Sequence, residues 1–289
     1  GAPRPLRLSY AGQIVRVRGS HARPERQFAQ VGAELIGSDQ PSADAEVIVM
    51  AAQALTTLGV EDVSIDLSMP TLVPAFCQPL ALEPATYVEL RQALDRKDAA
   101  GIDALSESLG GPAAKVLATL LSAAGPATET MEIISELDLG DAGTRERDAL
   151  TTVISAIRHQ APDLTLTVDP VENRGFEYHS GVTCSFFARG VRGELGRGGR
   201  YIAGLQHGDS EPATGLTLFM DTILKAVSRP EKPKRIFIPA GTKPEIAQQL
   251  RSDGLATVTG LTVVDDHAKE AQRLGCTHLA IDGNITEIN

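Results

Sequence analysis

The stretch VRVRGSHARPERQFAQVGAE, residues 15–34, decides the fold of this chain. It reads as the end of one strand, a polar loop with glycine and proline, and a second strand, a pattern typical of antiparallel strands. The two strands are predicted over residues 7–17 and 26–36. In the second strand, Gln30 and Glu34 share one parity, so their side chains are predicted to lie on one face of the sheet. That face is either a ligand-binding surface or a polar surface that is simply exposed to solvent.

Two further polar stretches follow, RGFEYHSG at residues 174–181 and GGRYIAGL at residues 198–205. Glycine lets a ligand approach the backbone closely, and the polar aromatic residues among the glycines can bind a small polar molecule. Spacing alone leaves another interpretation open, because residues 196–199 could form a hairpin turn. A histidine beside a tyrosine, as His179 beside Tyr178, is more often a structural residue than a ligand-binding one.

The composition limits the classes of protein to which the chain can belong. It has 289 residues, 42% of them hydrophobic, and a formal net charge of −10. Because nucleic-acid binders need a basic surface, neither tRNA nor DNA is an expected partner, although residues 189–200 form a local basic patch. The widely spaced Cys77, Cys184 and Cys276 predict reduced thiols in a cytoplasmic protein. No run of 18 apolar residues and no signal peptide occurs, so no membrane association is expected.

The chain is predicted to have two domains. Residues 1–228 form the larger one, with a helical insertion at about residues 84–160, and residues 235–289 form a small α/β domain. Since the sequence opens with Gly1 in what reads as the middle of a domain, an N-terminal segment is expected to be missing. In the small domain, helices alternate with three predicted strands, which are RIFIPA, LTVV at residues 261–264, and HLAID.

In this order, the three polar stretches resemble motifs of the class II aminoacyl-tRNA synthetases, and among those the histidyl enzyme. The second class motif of that family ends on a strand like RQFxQxGxE, which reads RQFAQVGAE here. The family's histidine-binding signatures, RGLDYYxG and GGRYDGL, read RGFEYHSG and GGRYIAGL. The resemblance covers about residues 7–228. It implies an α+β fold, in which helices flank an antiparallel sheet, with a helical insertion and a small C-terminal α/β unit. The family's first class motif, which builds its dimer interface, should lie before Gly1.

The resemblance also implies a histidine-binding pocket. Glu34 would accept an N–H of the imidazole, and Gln30 would contact the amino group. Arg174 would pair with the carboxylate, for which a guanidinium fork is suited. His179 stands where the family has a second tyrosine, which changes the reach and the charge of that side chain. The residues of this chain that match the family's histidine contacts are Gln30, Glu34, Arg174, Tyr178, His179 and Tyr201.

The ATP site of the synthetase is degenerate in this chain. Arg16 matches the motif 2 arginine of the family, but Arg18 stands where a glutamate reads the adenine. In motif 3, which reads GLTLFMDTIL at residues 215–224, Phe219 replaces a glycine and Thr222 replaces an arginine. Adenylate formation needs such cations to stabilise charge on the transferring phosphates. The chain is therefore not expected to activate histidine with ATP, and no catalytic residue, cofactor or metal site is predicted.

A synthetase-like core with a retained amino-acid pocket and a lost ATP site resembles the regulatory subunits of ATP phosphoribosyltransferase, the first enzyme of histidine biosynthesis. The resemblance implies a non-catalytic subunit that self-associates as a dimer and joins the short-form catalytic subunit in a hetero-octamer. It would activate that subunit, with histidine as the effector of feedback inhibition. The alternatives are a divergent histidyl-tRNA synthetase, which pyrophosphate exchange would reveal, and another synthetase paralogue that binds histidine.

Overall fold

Two sheets organise the chain, one in each of two compact units, Gly1–Ser228 and Arg229–Asn289. The computed structural model describes residues 2–15, 17, 26–173, 178–204, 210–227, 233–281 and 283–288. Within those ranges, no helix combines the length and the apolar character that a membrane crossing requires.

The larger unit is built on a sheet of eight strands. In chain order these are β1 (Leu6–Val15), β2 (Gln27–Ile36), β3 (Val63–Ser68), β4 (Gly125–Pro126), β5 (Thr165–Val168), β6 (His179–Ala188), β7 (Gly196–Ala203) and β8 (Glu211–Phe219). Their order across the sheet is β1-β2-β8-β7-β6-β3-β5-β4. All neighbours pair antiparallel except β3 and β5, which pair parallel because the long helical connection between them returns the chain to the same end of the sheet. The predicted pairing of the first two strands is confirmed, with Leu6 opposite Ile36 and Val15 opposite Gln27.

The other regular elements of the larger unit are helices. Within the predicted insertion at residues 84–160, the described elements are helices except for the two-residue strand β4. The helices are α1 (Pro41–Thr57), α2 (Leu72–Cys77), a 3-10 helix (Gln78–Leu80), α3 (Pro84–Asp95), α4 (Ala99–Ala104), α5 (Ser106–Leu109), α6 (Gly111–Ser122), α7 (Ala127–Ser135), α8 (Gly140–Gln160) and α9 (Met220–Ala226). The α+β fold of helices flanking a largely antiparallel sheet is thus confirmed.

The alternation of β2 separates a covered face of the sheet from a polar one. Leu35 belongs to the main hydrophobic core together with Val47 and Leu55 of α1. Burying a large apolar side chain of this kind contributes roughly 1.5–3 kcal/mol, so α1 is held firmly against this face. Since successive side chains of a strand point to opposite faces, Gln30 and Glu34 lie on the face opposite α1.

The smaller unit has a four-stranded sheet in the order β10-β9-β11-β12, formed by β9 (Arg235–Ile238), β10 (Ala256–Thr259), β11 (His278–Ile281) and β12 (Asn284–Glu287). Its helices are α10 (Pro244–Ser252) and α11 (His267–Arg273). The predicted parallel α/β arrangement is confirmed for β9 and β11, which match the first and third predicted strands. β10 also pairs parallel to β9, and β12 adds an antiparallel edge.

The predicted strand at residues 261–264 is wrong. After α10, Gly254 adopts a positive φ of 80° and the chain soon enters β10, which ends at Thr259. The amide of the next residue, Gly260, donates to the Ile238 carbonyl. The apolar residues of the predicted strand therefore follow β10 in a loop, and Leu261 and Val263 are 96% and 83% exposed.

Candidate functional site

On the face of the sheet opposite α1, the register of β2, β8 and β7 aligns polar side chains and glycines in two adjacent rows. Neighbouring rows on one face are separated by two residues along each strand. The stretch 196–199 lies within β7, so the hairpin-turn interpretation is wrong. The first row is Glu34, Gly215 and Gly199, and the second row is Gly32, Thr217 and Arg197.

The first row holds the carboxylate of Glu34 over Gly215. The Tyr201 hydroxyl donates a hydrogen bond of 2.8 Å to Glu34 Oε2. A Cβ atom at position 215 would overlap the Glu34 carboxylate, so the absence of a side chain there is what makes room for it. Burial raises the pKa of Glu34, and the bond from Tyr201 lowers it. The two predicted site residues are therefore in direct contact and electrostatically coupled.

In the second row, Tyr10 of β1 lies across Gly32. The Tyr10 and Thr217 hydroxyls form a hydrogen bond of 2.6 Å. A Cβ atom at position 32 would overlap the Tyr10 ring, so this glycine is needed for the tyrosine to reach β8. Neither Tyr10 nor Thr217 was predicted from the sequence as part of the site. The parity of Gly32 with Gln30 and Glu34 was the available signal.

His179 begins β6, and Tyr178 directly precedes it; their rings form a wall of the site. Their ring centroids are 3.9 Å apart, and Tyr178 also meets Tyr201 edge-on at 6.4 Å. His179 is buried, whereas Tyr178 is 68% exposed, so Tyr178 presents its ring to solvent beside the site. The buried position of His179 fits the structural role that its spacing favoured, although it also borders the cavity described next.

A small cavity of about 130 Å³ opens between this wall and the two rows. Its walls include side chains from two of the polar stretches that the sequence indicated, namely the amide of Gln30 and the rings of Tyr178 and His179. It also contains Arg197, which the sequence indicated only as part of a local basic patch. Its lining residues are Gln30, Tyr178, His179, Arg197, Gly198, Thr217 and Phe219.

A buried ion pair supports the site from the opposite side. Arg200 of the GGRY stretch donates to Asp44 Oδ2 through two nitrogens, at 2.7 and 3.0 Å, and also to the carbonyls of Ser38 and Gln40. Burial raises the pKa of Asp44, while Arg200 lowers it. Gly181 of the preceding polar stretch leaves room for the Arg200 stem. This arginine therefore anchors β7 to the start of α1 rather than contacting a ligand.

The sequence assigned two of the described residues, Phe219 and Thr222, to a degenerate ATP site. Phe219 is buried and packs edge-on against Phe28, with ring centroids 6.0 Å apart. Thr222, which stands in place of the family arginine, is buried in α9. The predicted Arg16, Arg18 and Arg174 lie outside the described residues. Among the described residues, no three His, Cys, Asp or Glu side chains come together as metal ligands would.

Comparisons with known proteins agree on one family. The family model described as "Histidyl-tRNA synthetase" matches residues 1–223. A curated relative from Rhodospirillum centenum, "ATP phosphoribosyltransferase regulatory subunit", is 50% identical over 99% of this chain and 72% of its own length.

Two solved structures show the same fold at lower identity. An ATP phosphoribosyltransferase regulatory subunit/histidyl-tRNA synthetase from Bacillus halodurans superposes with a TM-score of 0.74 at 23% identity, over 94% of this chain and 72% of that chain. A chain of the ATP phosphoribosyltransferase complex from Thermotoga maritima superposes with a TM-score of 0.59 at 16% identity, over 74% of this chain and 73% of that chain.

Proposed function

We propose, since this chain belongs to the histidyl-tRNA synthetase family and within it to the ATP phosphoribosyltransferase regulatory subunits, that it activates the catalytic subunit of that enzyme and conveys histidine feedback to it. The chain is a regulatory subunit and not an enzyme in its own right.

One contrast carries the proposal: the side chains that the resemblance assigns to amino-acid binding are held in place, whereas one assigned to ATP binding is packed into the protein. The amino-acid side keeps a carboxylate held over a glycine by a tyrosine, namely Glu34, Gly215 and Tyr201. Phe219, which the resemblance assigns to the ATP side, packs onto Phe28 and forms a wall of the small cavity. A site of this kind supports binding of an amino acid without its activation.

The bound histidine would lie between the two rows and the aromatic wall. Its imidazole N–H would donate to Glu34, its amino group would meet Gln30, and the Tyr178 ring would cover it. Arg174 remains the proposed partner of the carboxylate. Histidine would then act by linkage, because a ligand that binds one state of the assembly more tightly shifts the population toward that state.

The proposal includes the form of the assembly. We expect a dimer of this chain that joins the short-form catalytic subunit in a hetero-octamer, in the cytoplasm. The three cysteines are free and buried, which suits a reducing compartment.

The test is the activity of the short-form catalytic subunit, measured alone, with this chain, and with this chain and added histidine. We expect activation by this chain and its suppression by histidine. If the two proteins fail to co-elute and no activation occurs, the proposed function is wrong.

Glu34→Ala and Arg174→Ala should each weaken histidine inhibition of the complex. Loss of one partner of a charged contact that is shielded from water costs about 2–5 kcal/mol, so the inhibitory concentration should rise at least roughly 30-fold for the partly buried Glu34. The matched control is Glu46→Ala. Glu46 lies on α1, is exposed and pairs with Arg7 of β1, so its removal should leave inhibition unchanged. Unchanged inhibition in both site variants would place the effector on another surface.

Tyr201→Phe should shift the pH dependence of histidine binding. The variant loses the hydrogen bond that lowers the pKa of Glu34, so burial is less opposed and this pKa rises further. As the pH falls, Glu34 then becomes protonated earlier, and the decline in affinity should begin at a higher pH than in the parent protein. Calorimetric titrations at several pH values from about 5 to 8 would measure it.

The ligand imidazole titrates in the same way with both proteins, so its contribution cancels in this comparison. Tyr87→Phe, which removes a tyrosine hydroxyl in α3 far along the chain from the site, is the control. Identical pH profiles for Tyr201→Phe and the parent would contradict the coupling of Tyr201 to Glu34 in ligand binding.

A further inference from the structure

We propose that Arg197 recognises the carboxylate of the ligand and makes the cavity selective for amino acids over analogues that lack this group. The inference rests on the proposed function, because it takes histidine as the ligand. Arg197 lies outside the matched histidine contacts and would be a second cation for the carboxylate that the proposed function pairs with Arg174. Arg197 immediately precedes the GGRY stretch and lies in β7.

The register places Arg197 on the ligand side of the sheet. Its neighbours across the strands are Ser185 of β6 and Thr217 of β8. It shares parity with Tyr201, whose hydroxyl reaches Glu34 on that same face. Together with Gln30 and Thr217, Arg197 lines the cavity. A permanent cation therefore borders a cavity that otherwise offers an amide, hydroxyls and aromatic rings.

The separation of the charges suits one small zwitterionic ligand. Arg197 and Gly199 are two residues apart in β7, a rise of about 7 Å along the strand. Gly199 belongs to the row over which the Glu34 carboxylate lies. The site thus presents an anion on one row and a cation on the next. A ligand with an N–H donor at one end and a carboxylate at the other fits this polarity.

Tyr178 links the two charges. Burial raises the pKa of Tyr178, Arg197 lowers it, and Glu34 raises it again, so the phenol lies within electrostatic reach of both groups. Its ring also stacks on His179. A ligand held between Glu34 and Arg197 would lie under this ring, partly shielded from water, which strengthens the pairing of its carboxylate with the guanidinium.

The type of side chain favours a carboxylate rather than a neutral group. A guanidinium is always charged, and its planar fork matches the two oxygens of a carboxylate. Replacing the carboxylate by a hydroxymethyl group, as in histidinol, removes this match and leaves the imidazole and the amino group intact. The pair of histidine and histidinol therefore isolates the contact that we assign to Arg197.

The experiment is a calorimetric titration of the full chain with histidine and with histidinol. In the parent protein, histidine should bind more tightly than histidinol. In Arg197→Gln, the Kd for histidine should rise at least about 30-fold, whereas the Kd for histidinol should stay the same. Arg197→Lys keeps a cation but not the planar fork. Its Kd for histidine should therefore lie between that of the parent protein and that of Arg197→Gln.

Arg189→Gln is the matched control, because Arg189 belongs to the same basic patch and its side chain is 84% exposed. It should bind both ligands as the parent does. An equal loss of both ligands in Arg197→Gln would show a structural role and overturn the inference, as would unchanged histidine binding. A selective loss of histidine in Arg174→Gln but not in Arg197→Gln would overturn it as well.

The outcomes also separate this inference from the proposed function. A parent protein that binds histidine, together with an Arg197→Gln variant that binds it equally well, leaves the regulatory function standing and removes only the role of Arg197. A parent protein that binds neither ligand overturns both the histidine effector and this inference. The melting temperature of each variant shows whether it is folded, and Arg197→Lys remains informative if Arg197→Gln is not.

Discussion

Gly215→Ala should strongly weaken histidine binding. The new methyl group would occupy the place of the Glu34 carboxylate, which would have to swing away and lose its hydrogen bond from Tyr201. Losing a buried charged contact costs about 2–5 kcal/mol, which corresponds to a fall in affinity of roughly 30-fold to several thousand-fold. Calorimetric titration with histidine would measure it.

The matched control is Gly12→Ala, a substitution of the same kind in β1 of the same sheet. A Cβ atom at Gly12 meets nothing within 4 Å, so this variant should bind histidine normally. Glu34→Ala should bind as weakly as Gly215→Ala, and the double variant should be little worse than either, because both changes remove one interaction. If Gly215→Ala is folded and binds histidine as the parent does, the Glu34 carboxylate does not hold the ligand.

Asp44→Ala should lower the free energy of unfolding by about 3–5 kcal/mol. It would leave the guanidinium of Arg200, whose side chain is 13% exposed, without its carboxylate partner inside the protein. A loss of this size is a large part of the usual stability of a domain, about 5–15 kcal/mol. Urea denaturation followed by circular dichroism would measure it, with the slope against urea compared between variants.

Glu46→Ala is the control for this prediction, because Glu46 lies on the same helix and also pairs with an arginine. The side chains of Arg7 and Glu46 are 57% and 45% exposed, and an exposed pair contributes only about 0–1 kcal/mol. The two substitutions thus differ chiefly in burial. Equal and small effects would show that the Arg200–Asp44 pair is not important for stability.

Much of the fold was predictable because it depends on local patterns. The alternation in residues 26–34 identifies β2, and the polar loop before it predicts an antiparallel partner, as the pairing of Tyr10 with Gly32 shows. Parity also placed Gln30 and Glu34 on one face. These predictions need only the geometry of a strand and the order of the three polar stretches.

The rest of the site depends on contacts between strands and helices that no local pattern contains. Tyr10 reaches Thr217, which is 207 residues away in the sequence, only because Gly32 lies between them in the sheet. Asp44 of α1 meets Arg200 of β7 across 156 residues of sequence, and a lone aspartate in a helix gives no sign of this. The failed prediction at residues 261–264 has a different cause. Apolar β-branched residues favour a strand locally, but β10 had already taken that position in the sheet.

The packing of Phe219 against Phe28 is an obstacle to anyone who would redesign this part of the protein to hold a nucleotide. A glycine at position 219 would leave a void beside Phe28, and removing a buried phenylalanine costs about 3–5 kcal/mol. An arginine at position 222 would introduce a charge where Thr222 is only 4% exposed. Each change is harmful alone, so a redesign would have to combine them with compensating substitutions elsewhere in the core.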